Sequence, residues 1–241
     1  MANQNEIGIL VPLKYDWMEK TVELLQDGLE SLEIKAKLRE YLSFEIESPT
    51  NIRKTCTELM DVWVNVSEDI RPIRDYALSI HAEENCTHAL LHWCLMLLRY
   101  PVFSDMAGLI GKILLFQDSF TAGWINKRIK EQWGDRNTFK KSIGVILRTM
   151  CELGALESID TGVYCAKQRN IQSNIDLQML MKTLLNPRMN AYYEVQELSR
   201  VPQMFPFSYD IDYEWINNQT NFGFSSLGGK VILEETAKYG S

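Results

Sequence analysis

The spacing of apolar positions predicts a chain built mainly of helices. Between Tyr15 and Phe44, the residues Val22, Leu25, Leu29 and Leu32 recur at three- and four-residue intervals, which marks one helical face, with Gly28 as a weak point in it. Glu47–Thr50 (Glu-Ser-Pro-Thr) stops the run, because the residue before a proline avoids the helical region. A further helix follows, with Ile52, Cys56, Leu59, Met60 and Trp63 on one side, and then a loop in which Ser67 is the candidate N-cap. Residues 73–98 read as one or two helices, apolar nearly all round by Leu98, a pattern that belongs at the centre of a bundle. Tyr100-Pro101 ends that run. Ser104 or Asp105 is then placed to cap a helix from Met106 to Phe116.

From Phe116 to Lys167 the punctuation is sharper. Ser119 or Thr121 caps a helix over Ala122–Trp133, apolar at Trp124, Ile125, Ile129 and Trp133. Gly134 supplies the exit and Asp135 the next cap. A longer helix runs from Arg136 to about Leu153, with Phe139, Ile143, Ile146, Leu147, Met150 and Leu153 as its buried stripe. After Gly154, Leu156–Ile159 and Val163–Ala166 alternate as a hairpin around the turn Asp160–Gly162.

Beyond Lys167 comes a polar joint (168–174), a helix over Ile175–Leu185 ended by Asn186-Pro187, and a second helix over Met189–Ser199. Val201–Phe207 reads as extended, Tyr209–Ile216 as a further short element, and Asn221–Ser225 as a strand that pairs back with Val231–Leu233 across a turn at Ser226–Lys230. The aromatic residues Phe205, Phe207, Tyr209, Tyr213, Trp215, Phe222 and Phe224 are expected to pack on the helical core, the alternative being a docking surface for a partner.

Composition changes this picture little. With 46% hydrophobic and 24% charged residues there is material for a core. The apolar run Ala89–Leu98 is about half the length of a membrane span and contains His92, so it reads as a buried helix, and no membrane is expected. The start of the chain lacks the pattern of a signal peptide. The five cysteines are odd in number and contain no C-x-x-C pair, which suits reduced thiols in a cytoplasmic protein.

Charge changes it more. The net charge is −7, yet residues 101–170 carry ten Lys and Arg against seven Asp and Glu. Between Thr121 and Met150 seven cations (Lys127, Arg128, Lys130, Arg136, Lys140, Lys141 and Arg148) face only Glu131 and Asp135. On the longer helix Asn137, Lys141, Gly144 and Arg148 are spaced to share one exposed face, with Lys140 beside them and a small residue in the middle. A local basic face on an acidic protein points to a polyanion, and the alternative is that the same face docks a partner protein.

Helix, turn, helix and hairpin, preceded by the Met106–Phe116 helix and closing on CELGALESIDTGVYCAK, resembles the winged helix-turn-helix superfamily over about 60 of the 241 residues. The resemblance implies a second helix in the DNA major groove and a wing beside a phosphate backbone. Carried over by position, the nucleic-acid-binding residues would be Asn137, Lys140, Lys141, Gly144 and Arg148, with Thr161 at the wing tip, and the nearby cations Lys127, Arg128 and Arg136 are expected to join them. The wing departs from that pattern, because it carries Asp160 and has no Lys or Arg at its tip. The fold class expected is therefore mainly α: a multi-helix acidic N-terminal part (1–103), a central winged helix-turn-helix-like unit (104–167) and a small α+β C-terminal part (168–241). The function expected is non-enzymatic binding of double-stranded DNA, with a partner protein or homo-dimer to raise affinity. The alternative is a protein-interaction subunit.

All three histidines fall between His81 and His92. On a continuous helix His88 and His92 would be one turn apart with Glu84 nearby as a third metal ligand, and His81 would lie about 10 Å up the axis from His88. The expectation here is that these are hydrogen-bonded polar residues on a helix flank, with no metal and no other cofactor. Gly108–Lys112 lacks P-loop spacing, and the carboxylates Asp210, Asp212 and Glu214 have nothing converging on them.

Overall fold

The computed structural model describes residues 8–134, 137–190, 192–211, 213–219 and 222–235. The architecture is mainly α, with small sheets of two or three strands. Helices α1 (Tyr15–Gln26), α2 (Ser31–Ser43), α3 (Pro49–Trp63), α4 (Arg71–Ile80) and α5 (His88–Arg99) form the N-terminal part. The expected break at Gly28 separates α1 from α2, and the expected stop at Glu47–Thr50 separates α2 from α3, which Pro49 opens from its first turn. On α5 every residue from Ala89 to Leu98 is buried. No single helix among the described residues is long and apolar enough to cross a membrane.

Helix α6 (Pro101–Leu114) starts earlier than the apolar spacing indicates. Pro101 does not only end α5; it sits at the N1 position of α6, where a missing N–H costs nothing and its fixed φ suits a helix. Strand β1 (Ser119–Thr121) leads into α7 (Ala122–Trp133), then α8 (Asn137–Glu152), β2 (Leu156–Asp160) and β3 (Val163–Ala166). The sheet order is β1-β3-β2, antiparallel throughout, with Phe120 and Ser158 both opposite Tyr164. Strand β1 was not expected. Its three residues are too few to show a period, and Thr121 doubles as the N-cap of α7 by accepting a hydrogen bond from Trp124 N. Gly134 ends α7 at φ 83°, a conformation open to glycine at no steric cost.

The C-terminal part departs further. The joint after Lys167 contains β4 (Arg169–Ile171), which precedes α9 (Asn174–Leu184). Met189–Ser199 is not one helix but strand β5 (Tyr192–Glu194) followed by a single turn of helix, α10 (Val195–Leu198). A 3-10 turn over Pro202–Met204 precedes β6 (Phe207–Tyr209), which runs parallel to β4. Helix α11 (Tyr213–Asn217) is followed by β7 (Phe222–Leu227) and β8 (Lys230–Glu235), joined through Gly228 and Gly229 at φ 60° and 81°. Two left-handed residues between paired strands make the hairpin turn whose twist matches the strands. Sheet order β5-β8-β7 places β8 between β5 and β7.

One cluster of buried apolar residues runs from Ile9 to Leu233. At its centre the indole of Trp93 is packed edge-on by Phe103, Phe205 and Phe207, and donates to the Gln203 carbonyl at 2.9 Å. The C-terminal aromatics therefore contribute mainly to packing: Phe207, Tyr209 and Phe222 are buried, while Tyr213 is exposed. Pro202–Met204 can lie this close because α6 presents Gly108 and Gly111. A Cβ at Gly111 would collide with the Pro202 carbonyl oxygen. Arg188 ties the same part to the bundle, donating to Asp69, to Ser67 Oγ at 3.0 Å and to the Leu98 carbonyl at 3.2 Å.

Gly111→Ala should therefore destabilise the fold by about 1–3 kcal/mol, because the neighbour is backbone and cannot rotate away. Thermal melting monitored by circular dichroism checks this, with a drop of roughly 2–4 °C expected per kcal/mol in a chain of this size. An unchanged melting temperature would contradict the close approach.

Candidate functional site

Helix α8 is amphipathic by construction. Ile143, Ile146, Leu147 and Met150 are buried, and Lys141, Gly144 and Arg148 are exposed on the opposite side. A Cβ built on Gly144 meets no atom within 4 Å, so the middle of that face is open. The N-terminal segment lies on the flank between the two sides. Ser142 Oγ donates to the Ile9 carbonyl at 3.1 Å, and Thr149 Oγ1 accepts from Leu13 N at 3.1 Å while donating to the Val145 carbonyl. Ile9 and Leu13 are fully buried by this arrangement, and Leu10 N is held by Glu58 Oε1 at 3.0 Å. Residues 8–13 thus strap α8 down without covering Lys141, Gly144 or Arg148.

The other expected contact residues have different fates. Lys127 and Arg128 are exposed on α7, where Arg128 pairs with Glu131 at 3.0 Å and stacks over Trp124. Among the described residues neither Lys141 nor Arg148 forms a salt bridge. Arg136, and the cap expected at Asp135, lie outside the described residues. Asn137 and Lys140 fall within the first turn of α8 as backbone, and their side chains lie outside the described set, as does that of Phe139. Thr161 is exposed at the hairpin tip, where its N–H donates to Asp160 Oδ1 at 2.6 Å. The Gly162 carbonyl accepts from Ala122 N at 2.8 Å, which fixes the tip against the start of α7. No Lys or Arg occurs from Leu156 to Ala166.

The histidines are not on one helix. Residues 81–87 form a loop between α4 and α5, held by hydrogen bonds from Cys86 N to the Glu83 carbonyl and from Thr87 N to Asp176 Oδ1, both at 3.0 Å. The loop folds back, so the His81 and His88 rings stack with centroids 3.9 Å apart instead of lying about two helical turns apart. Glu84 is exposed on that loop and is not part of the cluster that holds His88. The carboxylate that does is Glu19 of α1. It lies 2.9 Å from His88 Nδ1, 3.2 Å from His81 Nε2 and 2.6 Å from His92 Nε2. Burial opposes ionisation of Glu19, but the hydrogen bond from His92 and the neighbouring imidazole of His88 outweigh it and hold its carboxyl down at about 2. Burial pushes the fully enclosed His92 below the ordinary imidazole value, against the pull of Glu19. Glu19 is 62 residues from His81, and no local spacing announces it.

Of the acidic trio, Asp210 and Glu214 are exposed and Asp212 lies outside the described residues. No family model matches the chain, and neither a curated protein nor a solved structure matches it.

Gly144 lies mid-helix with open space around it, so Gly144→Ala should stabilise the protein by about 0.5–1 kcal/mol through backbone entropy alone. Chemical denaturation measures this. A loss of stability would mean that the face is covered.

Proposed function

We propose that the protein binds double-stranded DNA, with α7 and α8 as a helix-turn-helix of the winged type and α8 as the element that enters the major groove. The observation that carries this reading is the exposed strip Lys141–Gly144–Arg148, whose centre is open to a partner surface. The element order α6-β1-α7-α8-β2-β3 and the sheet order β1-β3-β2 support it, since they present the second helix beside a three-stranded sheet. Charge supports it too: the strip is cationic on a protein of net charge −7, so a polyanion is drawn to one face and repelled elsewhere. Arg148 has the chemistry to read a guanine edge, and Lys141 and Lys127 to meet phosphates.

The wing plays little part in this reading, because its exposed residues Glu157, Ser158 and Asp160 offer no cation to a phosphate. One observation favours protein docking as the second reading: Ile159 on the same hairpin is 55% exposed. A unit with so few cations neutralises few phosphates, so a homo-dimer or a partner protein would supply the remaining affinity.

Fluorescence anisotropy with a mixed-sequence duplex at low salt tests the proposal. Saturable binding is expected with a dissociation constant on the order of 10⁻⁶–10⁻⁴ M, falling steeply with added salt. Lys141→Glu combined with Arg148→Glu should abolish most of it and reduce the salt slope by about two. No binding at tens of micromolar protein, or binding indifferent to the double reversal, would contradict the proposal and favour the docking reading.

A further inference from the structure

The Glu19–histidine cluster has a donor–acceptor mismatch. His88 Nε2 lies 2.8 Å from the His81 carbonyl oxygen, which only accepts, so Nε2 carries the proton. In the neutral ring Nδ1 then presents a lone pair, and it faces the acceptor oxygen Glu19 Oε2 at 2.9 Å. His81 Nε2 faces both carboxylate oxygens, at 3.2 and 3.4 Å. The His81 and His88 rings stack with centroids 3.9 Å apart, so both present a ring nitrogen to the same carboxylate. A cation between His88 Nδ1 and the carboxylate removes the mismatch, whether a metal ion or a single proton.

We propose that Glu19, His81 and His88 bind a divalent first-row transition ion, with zinc the best fit, that joins α1 to the corner between α4 and α5. One ligand atom from each of the three residues lies within 4.8 Å of the other two. Nitrogen and oxygen donors at about 2.0–2.1 Å from a tetrahedral zinc stand roughly 3.3 Å apart. Glu19 Oε2 stands 2.9 Å from His88 Nδ1 and 3.2 Å from His81 Nε2, close to that value and slightly inside it. The donor set, two imidazoles and a carboxylate without thiolate, suits zinc over the softer or harder ions. One further contact suits a metal site. His88 donates its other ring N–H to a backbone carbonyl, which fixes the tautomer that frees Nδ1.

His92 has a different part. It is fully buried, its Nδ1 has no hydrogen-bond partner, and its Nε2 lies 2.6 Å from Glu19 Oε1. Those facts describe a neutral ring with its proton on Nε2, held edge-on by Tyr15 and Trp63 and donating to the carboxylate. His92 is a positioning residue that aims the other oxygen of Glu19 at His81 and His88. The side chains of Glu19 and His88 are 20% and 29% exposed, so an ion can reach the site from solvent.

The test uses the full chain, stripped with a chelator and titrated with Co²⁺ while visible absorption is recorded, then with Zn²⁺ in competition. One ion per chain is expected, with d–d bands of a low-coordinate nitrogen and oxygen site and no thiolate charge-transfer band. Adding Zn²⁺ should raise the melting temperature of the stripped protein. The His81→Ala, His88→Ala double variant should lose stoichiometric binding. Glu19→Gln, which keeps an acceptor for His92, should weaken binding at least about tenfold and serves if the double variant does not fold. Cys86→Ser, in the same loop, should bind as wild type. Absence of stoichiometric binding by the wild-type chain would overturn the proposal, leaving a proton as the shared cation. So would binding that survives the histidine or glutamate changes, or that is lost in Cys86→Ser.

Discussion

Helix α5 has no face to give to solvent, and the rest of the molecule follows from that. Its ten residues from Ala89 to Leu98 are all buried, so every side of it must be covered by another element. At roughly 1.5–3 kcal/mol for each large apolar side chain removed from water, this is the strongest organising term in the fold. Helices α3, α4, α6 and α9 pack against it directly. The C-terminal segment closes the remaining side, where Phe205 and Phe207 meet Trp93. Polar groups carried into this interior must find partners there, which is why Trp93 Nε1 reaches the Gln203 carbonyl and His92 Nε2 reaches Glu19.

The bend of 117° between α5 and α6 then carries the core constraint into the α6–β3 unit. Helix α6 is at once a wall of the core and the first helix of the α6–β3 unit. It is gripped by Pro202–Met204 through Gly108 and Gly111 on one side and packs on α7 on another. Helix α8 inherits a fixed orientation from this mounting. Its apolar stripe faces inward, and residues 8–13 hold its flank through Ser142 and Thr149. Among the described side chains of this helix, what remains opposite the stripe is Lys141, Gly144 and Arg148. A strip so confined, on a protein of net charge −7, would give an approaching polyanion one orientation under the proposed function, whereas a generally basic surface would give many.

The middle of the chain was the most legible part of the sequence. Strong 3.6-residue spacing in α7 and α8, with Gly134 and Gly154 as punctuation, marked both helices and the hairpin within a residue or two. The alternation in Phe222–Ser225 and the Gly228-Gly229 turn did the same for β7 and β8. Elements set by distant partners were not legible. Strand β1 exists because β3 pairs with it, and β4 because β6 does; neither has enough residues to carry a period. Pro101 read as a terminator because the spacing does not tell a proline that follows one helix from a proline that opens the next. The histidines misled for a related reason. A helical reading of 81–92 placed Glu84 beside them, but the loop at 81–87 broke that spacing and a carboxylate from α1 took the position. Gly108 and Gly111 looked like a failed phosphate loop, and their role is close packing of backbone on backbone.

The central claim is that the open strip of α8 is the surface that meets DNA. Photo-cross-linking measures this directly, because Gly144 has room for a photoreactive side chain without disturbing the fold. Three full-length proteins would carry that residue at position 144, at Thr161 on the hairpin tip, or at Glu40 on the acidic bundle, each irradiated with labelled duplex. The account predicts a strong adduct from position 144, a weak one or none from position 161, and none from position 40. Adducts from the hairpin or the bundle without one from position 144 would contradict it.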